Sequence, residues 1–273
     1  LGGEKAWGDL KRILDGNNPD GRKAVLQTIG SWPNGDPLKT LFEIVYNEKD
    51  EVIRRLAFRS YVLLLSGPSS LSDESKLAEI KELFKLNFSK NDQLNLIGAL
   101  ASLATDGALQ FVEELAVKNE RYKISAEMAS KQISVNISKR GNFNDNEKVY
   151  SAKNALILGE DSFNYDENQD SIVGWSNPQY YIVWPINFSS SGQHELTLNV
   201  KKPDGGGGEF EVVLGAGVTT SKVPNSDDFV DINLGEFSVN DPGTYRIIIT
   251  GLNLEDKDGE LMNLRSLTLK KKD

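Results

Sequence analysis

Hydrophobic and polar positions change their period about halfway along the chain. Up to about residue 138, apolar residues recur three or four positions apart, as one face of a helix requires. Leu77, Ile80, Phe84 and Phe88 make one such face. Helix starts are marked as well. Asn18-Pro19 and Asp36-Pro37 read as a cap followed by proline at the first helical position. Ser72 precedes Asp73 and Glu74, acids that the helix dipole favours there. Pro33-Asn34-Gly35, Gly67-Pro68 and Asp106-Gly107 read as breaks between segments.

The segments resemble one another. A small residue follows six positions after an acid in Glu51…Ala57, Asp92…Gly98 and Glu120…Ala126, and Ala24 fits as an earlier copy. The unequal intervals fall near the roughly 30–47-residue period of helical-hairpin repeats. A small side chain there would let a paired helix approach closely.

From about residue 147 the period becomes two. Ile182, Trp184, Ile186 and Phe188 point one way, and Tyr181, Val183 and Asn187 the other. Leu196, Leu198 and Val200 alternate again after the polar stretch Ser189 to Gly192, which predicts a β-hairpin. Further strand-like runs cover 155–158, 209–214, 230–234, 244–250 and 264–270. Turn chemistry at Asp204 to Gly208, Asp241-Pro242-Gly243 and Asp258-Gly259 separates them. Many short strands without intervening helices indicate an antiparallel sandwich. The polar stretch between Ile137 and Val149 reads as an exposed connection, which sets a helical domain at 1–140 and a β domain at 141–273.

Composition narrows the function. The chain has 273 residues and a formal net charge of −9, against the basic face that nucleic-acid binding needs. It contains no cysteine, so disulfides, thiolate catalysis and cysteine–zinc sites are excluded. The single histidine, His194, falls in a predicted strand, and a serine triad would have to use it. No apolar run is long enough to span a membrane. A first residue of leucine, Leu1, reads as a processed product or part of something longer. Gly205–Gly208 is followed by a strand, EFEVVL, where a phosphate loop needs a helix, so it reads as a flexible hairpin tip. No cofactor is expected.

Two resemblances add to this. The paired helices of roughly 8–135 resemble HEAT-like α-solenoids, without a specific motif. The resemblance implies stacked pairs that either offer a concave protein-binding surface or simply support the next domain. The Arg54, Arg55 and Arg59 cluster reads as a solvated face or a set of salt bridges.

The second resemblance rests on Val173-Gly174-Trp175, Tyr181 to Phe188, Gly192, Leu196-Thr197-Leu198, Gly207-Gly208-Glu209-Phe210 and the ending Met262 to Leu269. In that order they resemble family 6 carbohydrate-binding modules and their galactose-binding-like relatives. The resemblance implies a β-jelly-roll with a sugar site in the loops at one end. A sugar ring needs a flat aromatic platform and a few polar groups to orient it. It maps the platform to Trp175, a second aromatic to Phe229 and a hydroxyl-binding asparagine to Asn263. Tyr180 and Tyr181 lie near the Trp175 loop as further candidates. Each has another reading: Trp175 and Phe229 could pack, and Asn263 could bond its own turn. Trp184 reads as core. The acidic positions that hold a structural calcium in that family are occupied here by Lys153 and Arg265, so no metal is expected at that site. Asp256 to Glu260 lacks the ligands of a calcium loop and reads as a charged hairpin turn.

Three functions follow. The first is non-catalytic binding of an oligo- or polysaccharide, as the accessory region of a larger secreted, extracytoplasmic polysaccharide-processing protein. The second is an interaction scaffold whose helices hold a protein partner. The third is a hydrolase using acids among Asp166, Glu167, Asp170, Asp227 and Asp228, which would need two facing carboxylates ~5–10 Å apart. These acids lie in loops that read as solvated, so the chain is not expected to be an enzyme.

Overall fold

A computed structural model describes residues 4–32, 35–67, 69, 71–86 and 88–272. Pro33, Asn34, Pro68 and Leu1 lie outside the described residues. The chain divides into two compact units, Leu1–Val135 and Asn136–Asp273.

The first unit is all helical: α1 (Glu4–Leu14), α2 (Pro19–Thr28), α3 (Leu38–Asn47), α4 (Glu51–Ser66), α5 (Asp73–Phe84), α6 (Lys90–Leu100), α7 (Asp106–Lys118) and α8 (Lys123–Ser138). Caps account for several starts. The Asn18 side chain accepts from the amides of Asp20 and Gly21, and Ser72 Oγ accepts from Ser75. Other expectations need correction. Pro37 is itself the cap residue and α3 begins one position later. Asp106-Gly107 opens α7 behind the Thr105 cap and breaks nothing. Phe88 lies beyond the end of α5 and packs on Phe58, with centroids 4.0 Å apart. The small-residue pattern holds for Ala57 and Ala126, which are buried, but Ala24 and Gly98 face solvent. Close helix approach is therefore not repeated at a fixed step.

The second unit is a sandwich of two six-stranded sheets. Its strands are β1 (Gly141–Phe143), β2 (Glu147–Ser151), β3 (Leu156–Leu158), β4 (Asn164–Asp166), β5 (Ser171–Val173), β6 (Tyr181–Phe188), β7 (Gly192–Lys201), β8 (Gly208–Leu214), β9 (Gly217–Lys222), β10 (Val230–Val239), β11 (Gly243–Leu254) and β12 (Asn263–Lys271). One sheet runs β1-β6-β11-β8-β9 with β3 on β6, and the other β10-β7-β12-β5-β4 with β2 on β12. Ile182, Trp184, Ile186 and Phe188 from one sheet meet Leu196, Leu198 and Val200 from the other in the core.

The expected β6–β7 hairpin is therefore wrong. The alternation is right, but β6 pairs with β1, β3 and β11, whereas β7 pairs with β10 and β12. Ser189 to Gly192 carries the chain across the sandwich. Alternation reports which face of a strand is apolar, and both sheets have such a face, so it does not name the neighbour. The stretch after Ile137 is not merely a connection either. Gly141–Phe143 forms β1, parallel to β6, and Phe143 enters the core. β9 pairs with β8 across its length, though its polar sequence gave no strand signal.

His194 is fully buried on the inner face of β7, in edge contact with Phe143 (5.1 Å) and Phe188 (4.9 Å). No hydrogen bond of ordinary geometry reaches either ring nitrogen. Burial pushes its pKa below 6.5, with the Gly192 backbone opposing and Lys271 adding to the shift. The unfolded chain thus takes a proton near pH 6.5 while the folded one resists until lower pH. Stability is full above that value and falls as the pH drops below it. Unfolding free energies from urea titrations at pH 7.5 and 5.0 should differ more for the wild type than for His194→Phe, by at most about 2 kcal/mol. Equal pH slopes in the two proteins would refute this.

Candidate functional site

One end of the sandwich is built from four connections, each crossing between sheets: 174–180, 202–207, 223–229 and 255–262. Backbone hydrogen bonds tie them together. Leu261 N donates to Trp175 O at 2.8 Å, Gly207 N to Glu260 O at 2.8 Å, Glu255 N to Gly207 O at 3.0 Å and Lys202 N to Ser226 O at 3.2 Å. The Gly174 amide donates to Glu260 Oε2 at 3.1 Å. Gly208 sits at φ +146°, and a Cβ there would lie 2.2 Å from the Asn253 carbonyl oxygen. Gly206 to Gly208 is thus a packed crossing between sheets and not the flexible hairpin tip that its composition suggests. Asp258-Gly259 likewise lies in a crossing, from β11 to β12.

On this end an open hollow of about 440 Å³ is lined by Ser176, Asn177, Pro178, Tyr180, Leu254 and Lys257. The loop that shapes it is a compact turn: Asn177 Oδ1 accepts from Gln179 N at 2.9 Å, and Asn177 O accepts from Tyr180 N at 3.0 Å. The Tyr180 ring stacks on Phe163 with centroids 5.4 Å apart. Burial raises the Tyr180 pKa, and a hydrogen bond to Glu160 raises it further, so the phenol stays protonated. Leu254 is half-buried and Lys257 exposed. The hollow therefore combines apolar surface from Pro178 and Leu254 with a hydroxyl, an amide and an ammonium group.

The residues singled out in the sequence separate in space. Trp175 has 0% exposure, packs on Phe163 at 5.0 Å, and its Nε1 has no partner. A stacking platform needs an open face, and this indole has none, so the expectation that it is exposed is corrected. The physical cause lies one residue earlier. Gly174 at φ +76° turns the chain so that Trp175 enters the core while Ser176 remains outside. Trp184 is in the core, as its alternation requires. Tyr180 lines the hollow. Tyr181, 37% exposed, belongs to the outward set of β6.

Neither Phe229 nor Asn263 lines the hollow. The Arg265 guanidinium lies 3.6 Å from the Phe229 ring centroid. Asn263 opens β12, is 7% exposed, and donates from Nδ2 to Gln169 Oε1 at 3.4 Å, leaving Oδ1 unpartnered. Lys153, the other cation at an expected calcium-ligand position, pairs with Glu167 at 3.0 Å. Sequence reasoning missed Leu254 and Lys257. The only signal was that Lys257 interrupts an acidic loop next to a strand end.

The loop acids are engaged locally. Asp166 Oδ1 accepts from Asn168 N at 2.7 Å, and the Asn168 amide leads the contacts that hold its carboxyl below the usual range. Tyr165 donates to Asp170 at 2.5 Å. Among the described residues no group of three or more His, Cys, Asp or Glu is placed to hold a metal.

Residues 149–273 match the family described as "Domain of unknown function (DUF5077)". No curated protein matches the chain. Solved structures that resemble it include a family 35 carbohydrate binding module from Clostridium thermocellum, at 14% identity and TM-score 0.37, covering 47% of this chain and all of that one. Another is the family 35 module of Cellvibrio japonicus Abf62, at 19% identity and TM-score 0.33, covering 44% of this chain and 94% of that one. A third is the GH26-CBM35 β-(1,4)-mannanase of Podospora anserina, at 18% identity and TM-score 0.37, where the match spans 48% of this chain and 28% of the mannanase.

Proposed function

We propose that the β-sandwich binds a saccharide at its loop end, in the hollow lined by Asn177, Tyr180 and Lys257, without catalysing its cleavage. The observation that carries this reading is the hollow itself. Its volume of about 440 Å³ is within the usual range for small-ligand pockets. Its lining alternates apolar carbon with hydrogen-bonding groups, as the C–H face and hydroxyl rim of a sugar require. The non-catalytic reading is supported by the lining of the hollow, in which no carboxylate takes part. We further propose that the chain serves as the accessory region of an exported polysaccharide-processing protein. Phe229 and Asn263, which the family 6 resemblance favours, lie outside the lining of the hollow and serve as the internal comparison.

Isothermal titration against an oligosaccharide panel tests this. The wild type should bind at least one neutral oligosaccharide with a dissociation constant in the micromolar to millimolar range, unchanged by EDTA. Asn177→Ala and Lys257→Ala should each weaken that binding about tenfold, equivalent to ~1.4 kcal/mol, the scale of a hydrogen bond to a charged or polar group. Phe229→Ala should leave it unaltered. A panel with no binder sinks the function. Binding that survives both hollow substitutions but falls in Phe229→Ala moves the site to Phe229.

A further inference from the structure

The last helix of the chain, α8, is apolar on two opposite faces. One face is buried: Ala126 is 0% exposed, Ala129 3% and Ile133 0%. The other carries Ile124, Met128 and Val135, exposed at 75%, 67% and 48%. At 3.6 residues per turn these three fall within about 40° of one another, on the side away from Ala126 and Ile133. An end helix needs a polar outer face to remain in water unaccompanied. Here the outer face is apolar over about three turns, roughly 16 Å, and such a stripe marks a contact surface.

The charges beside the stripe indicate what covers it. α8 holds three charged residues, Lys123, Glu127 and Lys131. Lys123 pairs with Glu120 at 3.8 Å. Glu127 and Lys131 lie on one flank of the stripe, and among the described residues neither has an ion-pair partner. The flank is therefore one acid and one base, four residues apart, and its charges sum to zero. Reversed in direction, that pattern is its own complement. A second α8 running antiparallel sets Glu127 against the second copy's Lys131, and Lys131 against its Glu127. The same register places Met128 beside its counterpart at the two-fold axis and Ile124 beside the second copy's Val135. One offset thus matches both the charges and the apolar stripe, as a self-complementary two-fold interface requires. A wholly acidic or wholly basic partner would satisfy only half of the flank.

We infer that the exposed face of α8 pairs with the α8 of a second copy of this chain, antiparallel about a two-fold axis level with Ala129. One helix pair is a small interface, so the dimer is weak and reversible. The net charge of −9 makes two copies repel at long range, and salt screens that repulsion beyond ~8 Å at physiological strength. Association should therefore tighten between about 10 mM and about 150 mM salt. The inference is independent of the saccharide reading, and each can fail without the other.

Sedimentation equilibrium of the full chain over a concentration series tests it. The wild type should show a monomer–dimer equilibrium with a dissociation constant of roughly 10–500 μM. Met128→Glu sets two like charges side by side at the axis and should raise that constant at least tenfold. The position is exposed, so the fold should persist, as its thermal melt would report. Glu127→Lys and Lys131→Glu should each weaken self-association severalfold. An equimolar mixture of those two variants should recover the wild-type constant, because each flank then meets its opposite. A wild-type chain that stays monomeric up to about 1 mM overturns the inference. So does a dimer that a folded Met128→Glu protein retains, or a mixture that associates no better than its components.

Discussion

Trp175→Ala is expected to destabilise the sandwich by about 3–5 kcal/mol, the usual loss when a fully buried large aromatic is truncated in a core that cannot collapse around the gap. The indole has no exposed surface and contacts Phe163, which in turn stacks on Tyr180. The cavity would thus open directly beneath the hollow. A urea titration followed by far-UV circular dichroism should show the midpoint falling sharply. Trp175→Phe should lose less than half as much. It restores most of the ring volume, and the indole Nε1 that it removes has no partner to leave stranded. The pair separates packing from recognition. If Trp175→Ala keeps the wild-type midpoint while saccharide binding disappears, the indole binds the saccharide and is not a core residue.

Gly174→Ala is expected to be comparably severe, at about 3 kcal/mol or more. A Cβ at this position would lie 2.0 Å from the carbonyl oxygen of Ser162, a backbone atom that no rotamer change can move. Its φ of +76° adds the left-handed strain of any L side chain, roughly 1–2 kcal/mol. Gly235 provides the control. It has φ +88° but nothing within 4 Å of an added Cβ, so Gly235→Ala should lose only about 1 kcal/mol. Equal losses from the two substitutions in chemical denaturation would show that backbone strain, and not contact with Ser162, governs Gly174. The same contact explains why the loop lining the hollow starts where it does, since Gly174 pins it to the 160s before the chain emerges at Ser176.

The separation of the candidate residues has a physical pattern. Trp184 was legible because three neighbours in the same alternation, Ile182, Ile186 and Phe188, are apolar, and a strand commits all of them to one face. Trp175 was not, because it lies outside any periodic run. Its surroundings, Gly174, Ser176 and Asn177, describe a turn without saying which way one side chain within it will point. Phe229 met the same limit. Its ring is covered by Arg265, a residue 36 positions away in sequence, which β12 brings alongside it. The hollow was hardest to read, because Asn177 and Lys257 come from two loops that approach only when β6 and β11 pair.

By itself, the order of residues determined that the chain is helical first and stranded afterwards, that Asn18 and Ser72 begin helices, and which side of β6 and β7 is apolar. Those are consequences of local periodicity and local capping, which act over a few residues. Only the tertiary structure decided that β6 and β7 lie in opposite sheets, that Gly206 to Gly208 are locked against Asn253 and Glu260, and that Trp175 points inward. Each of these depends on which distant backbone supplies the hydrogen bonds and fills the volume. Burial is a property of the assembled layers, and no short stretch of chain contains it.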